Sequence, residues 1–365
     1  MAELVINTKK LIGNIKIIND LLDMHNIKWT LICKVLSGHK ETLRRILTSP
    51  EIARIGSVGD SRLSSLEAIK KINPDVTTMY IKPPPMPYVK SVVSVADISL
   101  NTSEDTIRAL NEEAKKQNKT HKVIIMIELG ELREGIMREN VLSFYKNVFE
   151  LSNIEIVGIG TNLGCMYGVE PTYDKLIQLS LYKQLLEAKF DRKLDFISGG
   201  SSITLPLVKT GQLPKTVNHF RIGEAVFLGT SPFDNQIFNG LSGDAFEYTA
   251  NILELEEKAY IPEGNISEGN VGHTSEDQPW GPEDKSYKAI LDFGILDVDT
   301  EEITPKDQSV KFFGTTSDLT VYDLGKNSGK GGKPKYNVGD RIAFKPGYMG
   351  TARLMHSKFV EKKLI

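Results

Sequence analysis

The chain has 365 residues, long enough for two domains, and its 40% hydrophobic and 25% charged composition is ordinary for a soluble protein. A formal net charge of -2 gives no electrostatic reason to expect nucleic acid or an anionic membrane as a partner. Two cysteines, Cys33 and Cys165, are too few for a disulfide framework; with no basic leader and no apolar run approaching about 20 residues, a cytoplasmic setting is expected.

Residues 1–230 alternate short Val/Ile-rich runs with longer segments whose apolar residues recur at three and four, the pattern of βα units around a parallel sheet. A strand is expected at 4–7, then a helix with Thr8 as N-cap and Leu11, Ile15, Ile18 and Leu22 on one face. Further strands are predicted at 29–36, 52–57, 79–82, 97–100, 122–128, 155–162, 194–198 and 220–228. Helices are predicted near 39–48, 60–72, 103–118, 138–151 and 172–189, the last capped by Thr172. Setting aside the first strand leaves the eight that a (β/α)8 TIM-type barrel requires; a doubly wound sheet would accept the same alternation with fewer. Beyond Gly229 strand-like runs such as "FEYTANILELEE", "VKFFGTT" and "DRIAFKPGYM" are separated by turns, so a β-rich second domain is expected over 231–365. Two inserts in it, at 262–286 and 325–335, read as loops, and the glycine-rich one lacks the strand, GK[ST] and helix of a phosphate loop.

In "LICKVLSGHK" one lysine, Lys34, interrupts an apolar run that reads as a buried strand. Such a lysine either snorkels out of the strand end or is a nucleophile made reactive by its surroundings. Function in a barrel of this kind sits at the C-terminal ends of the strands. Those ends carry Lys34, Arg62, Lys82, Arg133, Asn162, Ser201, Ser202, Arg221, Gly223 and Glu224. "SGGSS" offers two serine hydroxyls where a helix should begin, with Gly199 and Gly200 letting backbone approach a ligand; "RIG" on the next strand can add an amide. A phosphate site at the end of a barrel, facing a lysine, suggests pyridoxal phosphate held as a Schiff base.

Eight segments taken together resemble the alanine racemase family of pyridoxal-phosphate enzymes, most closely its ornithine-racemase-like branch. They are "VINTKKLIGNIKII", "ICKVLSGH", "ARIGSVGDSRLSSL", "HKVIIMIELGELREGI", "VGIGTNLGCMYGVEPT", "ISGGSSITLPLV", "FRIGEAVFLGT" and "GTTSDLTVYDLG". The resemblance implies a barrel over 8–230 and a β-rich domain formed by 1–7 together with 231–365, working as a homodimer without a metal. It implies Lys34 as Schiff-base lysine and base for one face of the α-carbon, and Arg133 near the cofactor phenolate. Ser201, Ser202 and the amides of Gly223 and Glu224 become the phosphate cradle, and Arg221 the partner of the pyridine nitrogen. An arginine does not give up a full proton, so the ring stays largely unprotonated and brief deprotonation and reprotonation is favoured, which argues for racemisation.

The departures from the family pattern concern the other proton-transferring groups. Gly38 stands where alanine racemases have a tyrosine, and Asn162 where they have a histidine stacked on the ring, as in the ornithine branch. The tyrosine expected as opposite-face base falls near Ile295, which cannot move a proton. Cys165, Tyr167, Tyr348 and His356 lie in matching regions, and Cys165 comes first because a thiol of lowered pKa beside a cofactor can act as acid or base. The expected activity is racemisation of ornithine or another basic or small amino acid. Alternatives are a cofactor-binding protein without turnover, or a decarboxylase or aldolase of the same fold.

Overall fold

A computed structural model describes residues 1–267, 272–275 and 284–365, in two compact units: Lys9–Gly243, and Met1–Thr8 with Asp244–Ile365. The first unit is a closed barrel of eight parallel strands in sequential order, the (β/α)8 architecture expected. The strand Glu3–Ile6 (β1) belongs to the other unit, and the barrel is built from Lys28–Ile32 (β2), Ser57–Asp60 (β3), Thr78–Tyr80 (β4), Ile98–Asn101 (β5), His121–Met126 (β6), Ile154–Gly160 (β7), Phe196–Ser201 (β8) and His219–Ile222 (β9). Closure is direct: Thr30 of β2 pairs with Ser57 of β3 on one side and with Arg221 of β9 on the other. Strands buried on both faces read as continuous apolar runs, which is why "VIIM" in β6 is buried throughout.

The helices between the strands are Thr8–Met24 (α1), Lys40–Leu47 (α2), Leu63–Ile72 (α3), Val89–Val95 (α4), Glu104–Lys116 (α5), Val141–Val148 (α6), Tyr173–Phe190 (α7), Leu205–Lys209 (α8) and Glu224–Leu228 (α9). Thr172 caps α7 as expected, accepting from Lys175 N at 3.3 Å. Thr8 does not act as a cap; it is the first residue of α1 and its hydroxyl donates to the Ile365 carbonyl at 3.0 Å. The strand expected at 52–57 is mostly a 3-10 turn, Pro50–Arg54, because proline favours the first helical position and Ile52 is buried from the turn. α4 escaped the sequence reading because its valines favour strands locally, and packing against the barrel overrides that preference.

Residues 231–243, expected with the β-rich part, fall in the barrel unit. The buried Asn14 of α1 holds them there: its Nδ2 donates to Val226 O at 2.8 Å and Ser242 O at 3.0 Å, and its Oδ1 accepts from Ser242 N at 2.7 Å.

Among the described residues, the second unit is a nine-stranded sheet that includes β1. Its other strands are Phe246–Ala259 (β10), His273–Thr274 (β11), Lys285–Leu291 (β12), Ile303–Pro305 (β13), Lys311–Thr315 (β14), Thr320–Asp323 (β15), Arg341–Pro346 (β16) and Glu361–Leu364 (β17). β1 runs antiparallel to β10 and parallel to β17, and one helix, Tyr348–His356 (α10), follows β16. Its core contains an unusual group: Lys288, 1% exposed, pairs with Asp323 at 3.0 Å and lies 3.7 Å from the Tyr260 ring and 3.8 Å from the Phe313 ring. Of the insert expected as a loop at 262–286, residues 268–271 and 276–283 lie outside the described residues. The stretch 325–335 is a turn closed by Gly329 N to Lys333 O at 2.8 Å. Among the described residues, no helix is long and apolar enough to cross a membrane.

Candidate active site

All eight barrel strands point the same way, so their C-terminal ends form one rim and the residues just past them can meet there. β2 stops at Ile32, and Lys34 opens a 3-10 turn, Lys34–Leu36, with its side chain exposed. Lys34 is therefore not a misfit within a strand. The turn ends at Ser37 (φ 48) and Gly38 (φ 74), where an added Cβ would lie 3.0 Å from Ser65 Oγ. A tyrosine at position 38 would be strained in that left-handed backbone, which gives the departure at Gly38 a local structural basis.

Lys34 acts electrostatically on two carboxyl groups, Asp60 at the end of β3 and Glu224 after β9. Asp60 is 1% exposed; burial pushes its carboxyl up to about 6, although Oδ1 accepts from Arg62 N at 2.9 Å and the charges of Arg62 and Lys34 oppose the rise. Its Oδ2 is buried without a hydrogen-bond partner. Burial and the Asp60 charge together raise the Cys33 thiol, which keeps that cysteine protonated and inert.

Arg221 of β9 is buried, and its guanidinium is gripped by Ser198 of β8 and by Thr161, one residue past β7. Nη1 donates to Ser198 O at 2.9 Å and to the Ser198 hydroxyl, and Nη2 donates to Thr161 O at 2.6 Å. These three bonds leave Nε–H and one Nη2–H as donors without a partner among the described residues. Burial lowers the guanidinium to about 10, opposed by the charge of Glu134, so it remains protonated at neutral pH. The chain of contacts continues down the barrel axis. Ser198 Oγ lies 2.8 Å from His219 Nδ1, and His219 Nε2 lies 3.1 Å from Thr30 Oγ1. Burial, with the charges of Arg221 and Lys28, holds His219 down at about 3, so the ring is neutral. With Arg221 donating to Ser198, the consistent tautomer carries its proton on Nε2.

Ser201 and Ser202 end β8 and begin a short 3-10 turn, Ser202–Thr204, ahead of α8; Ser201 and Thr204 form a reciprocal cap. Ser202 Oγ accepts from Ala225 N at 3.1 Å, which brings the β8 and β9 loops together and leaves the serine proton to be donated elsewhere. Gly223 precedes α9, and the amide of Glu224 is one of the first N–H groups that this helix does not satisfy itself. The two glycines before the serines have a different reason from the one expected. A Cβ on Gly200 would fall 2.3 Å from the Phe220 ring, and one on Gly199 would meet Leu176 at 3.0 Å and Val217 at 3.2 Å, so both are small to let protein side chains pack.

The loop after β6 supplies carboxylates that local sequence did not single out. Glu131, 1% exposed, accepts backbone N–H bonds from Gly164, Cys165, Met166, Tyr167 and Val169 at 2.5–3.1 Å. Burial alone would raise its carboxyl, but these N–H groups, that of Met166 foremost, bring it down to about 2. Glu128 holds its own loop through the amides of Gly130 and Arg133. Glu134 lies 2.8 Å from Arg133 Nε and accepts from Asn162 Nδ2 at 3.2 Å. Asn162 Nδ2 also donates to Cys165 Sγ at 3.4 Å, and the charges of Glu134, Cys165 and Arg133 all act on Arg221.

The structure thus forms two groups at the rim: Lys34 with Asp60 and Glu224, and Arg221 with Arg133, Glu134, Asn162 and Cys165. Cys165 itself is exposed. Tyr167 is exposed in the loop that Glu131 holds. Lys82 lies 5.9 Å from the Tyr80 ring, as a strand-end cation resting on its neighbour. Ile295, Tyr348 and His356 belong to the β-rich unit, where Ile295 N donates to Thr316 O at 3.0 Å. Among the described residues no group of three or more His, Cys, Asp or Glu side chains could hold a metal ion.

A parallel barrel with an amine, two arginines and hydroxyl and N–H donors at its C-terminal rim has the architecture of a barrel enzyme and the chemistry to receive an anionic ligand there. Residues 6–231 match the alanine racemase N-terminal domain, and the chain belongs to the alanine racemase family. It is 32% identical to an ornithine racemase of Acetoanaerobium sticklandii, over 100% of this chain and 99% of that one. It is 29% identical to a lysine racemase of Thermotoga maritima, over 98% of this chain and 97% of that one. Among solved structures, an alanine racemase from Bartonella henselae with covalently bound pyridoxal phosphate shares the fold at a TM-score of 0.73, with 14% identity, over 100% of this chain and 99% of that one.

Proposed function

We propose that this amino-acid racemase interconverts the L and D forms of a basic amino acid such as ornithine, as a homodimer, with pyridoxal phosphate at the rim of the barrel. The donor set fits that cofactor. Lys34 offers an amine to its aldehyde; Ser201, Ser202 and the amides of Gly223 and Glu224 offer hydrogen bonds to its phosphate; Nε of Arg221 remains as a donor for its ring nitrogen. Asn162 would stand beside the ring, and Arg133 near its phenolate oxygen. When bound, the cofactor withdraws electrons from the substrate's α-carbon, so that the proton there can be removed at neutral pH.

The remaining work belongs to the chain. Lys34 Nζ takes the α-proton from one face and Cys165 Sγ delivers one to the other, with the roles exchanged in the reverse direction. Arg221, still protonated near pH 7 and fixed by Ser198 and Thr161, donates a hydrogen bond without releasing its proton. Charge at the α-carbon is then only weakly stabilised, which suits rapid proton exchange and disfavours decarboxylation. The basic side chain is supported by full-length similarity to both an ornithine and a lysine racemase.

The observation that carries this reading is the buried Arg221, held by Ser198 of β8 and by Thr161 just past β7, with Nε among its remaining donors beside a hydroxyl-rich loop. Equilibrium dialysis against pyridoxal phosphate tests it. Wild type should retain one cofactor per chain with a visible absorbance band that Lys34→Ala abolishes; a wild-type protein that takes up none would end the proposal.

A further inference from the structure

An enzyme that selects a diamino acid needs a carboxylate for the distal ammonium, near the reactive lysine and with lone pairs not already used. Most rim carboxyls fail one of these conditions. Asp60 is 1% exposed and out of reach of a ligand. Glu128 is engaged by the amides of Gly130 and Arg133, and Glu131 by five backbone N–H groups. Glu134 is divided between Arg133 and Asn162.

Glu224 meets every condition. It is half-buried at the start of α9, immediately after the β9 strand end, and Lys34 acts on its carboxyl directly. Among the described residues its carboxylate takes part in no hydrogen bond or ion pair. A half-buried carboxyl that accepts no hydrogen bond is held there at a cost that a donor cation from outside the chain would relieve.

We infer that the Glu224 carboxylate receives the distal ammonium of the substrate and so sets the preference for diamino acids; this rests on the racemase reading above. The backbone amide of Glu224 faces the phosphate in that reading, so one residue would orient the cofactor through its main chain and select the substrate through its side chain. Substitutions at position 224 separate the two, because they keep the amide.

The test compares racemisation of L-ornithine with that of L-norvaline, which has the same carbon chain without the distal amine, by the wild-type holoenzyme and by Glu224→Gln. The ornithine-to-norvaline ratio of kcat/KM should fall ~10- to 100-fold in Glu224→Gln, mostly through KM for ornithine. Calorimetric binding of the two amino acids to each holoenzyme should show the same loss of discrimination without relying on turnover. Glu224→Asp serves if the glutamine variant folds poorly. It withdraws the charge by one methylene, and the preference should move from ornithine toward lysine. An unchanged ratio in both variants overturns the role of Glu224 and leaves the racemase standing. A wild type that racemises neither amino acid removes both.

Discussion

Replacing Glu131 should loosen the loop 164–169 more than any other single change at the rim. The side chain accepts five backbone N–H bonds, and a hydrogen bond to a charged group is worth about 1.5–3 kcal/mol. Residues 165–168 are exposed, so water can replace most of the lost acceptors; Gly164 and Val169 are half-buried and their amides are the ones left unsatisfied. That places the cost of Glu131→Ala at about 2–5 kcal/mol. Proton linkage gives a similar figure. A carboxyl brought from 4.5 down to about 2 contributes about 3 kcal/mol at neutral pH. Its folded value lies below its unfolded one, so the contribution is complete above about pH 5 and is lost as pH falls toward 2. Hydrogen exchange read by mass spectrometry, with urea unfolding at several pH values, checks both parts. Peptides covering 164–169 should exchange much faster in Glu131→Ala and Glu131→Gln while those from β6 and β7 do not. The stability gap from wild type should narrow as pH falls from about 4.5 toward 2. Unchanged protection of the loop in both variants, or a gap that does not depend on pH, would refute the reasoning.

The buried histidines His121 and His219, held down at about 4 and about 3, make a second pH signature. Below about pH 6.5 the unfolded chain binds protons that the folded chain does not, so stability should fall by up to about 1.4 kcal/mol per pH unit for each; His219→Gln should flatten that slope in urea titrations. In the β-rich unit, Asp323→Asn removes the negative charge paired with the buried Lys288 ammonium, which then keeps the rings of Tyr260 and Phe313 but no counter-charge from residue 323, and should cost about 3–5 kcal/mol by thermal unfolding. Lys288→Met should cost clearly less, since it removes the charge along with the pair. Gly200→Ala drives a methyl to 2.3 Å from the Phe220 ring. It should destabilise by about 1–3 kcal/mol and weaken cofactor retention in dialysis through displacement of Ser201 and Ser202.

The barrel was legible because its strands are buried on both faces and its helices bury one stripe, so two hydrophobic periods alternate cleanly along the chain. Local patterning misled at 52–57, where Ile52 is apolar in a 3-10 turn that Pro50 begins, and at α4, whose valines favour strands. Lys34 and Arg221 stood out in the sequence as cations at otherwise apolar strand ends, and the paired serines as hydroxyls after two glycines where a helix should begin. Glu131 and Glu134 did not. Glu131 is held by backbone amides 33 to 38 residues away and Glu134 reaches Asn162 28 residues on, while both look like solvated loop charge in the sequence. Asp60 was hidden in the same way: only the fold shows that one of its oxygens is buried without a partner. Gly199 and Gly200 were expected to let backbone approach a ligand, whereas the atoms that crowd them are side chains of Leu176, Val217 and Phe220.

Exchange of the α-proton by this chain's own side chains leaves an isotopic mark on the product. L-ornithine is incubated with the pyridoxal-phosphate-loaded protein in deuterium oxide, and the two enantiomers are separated by chiral chromatography and weighed by mass spectrometry. The account predicts D-ornithine carrying one deuterium at the α-carbon, with none formed by Lys34→Ala. Cofactor-loaded wild type that leaves L-ornithine unconverted and undeuterated would contradict it.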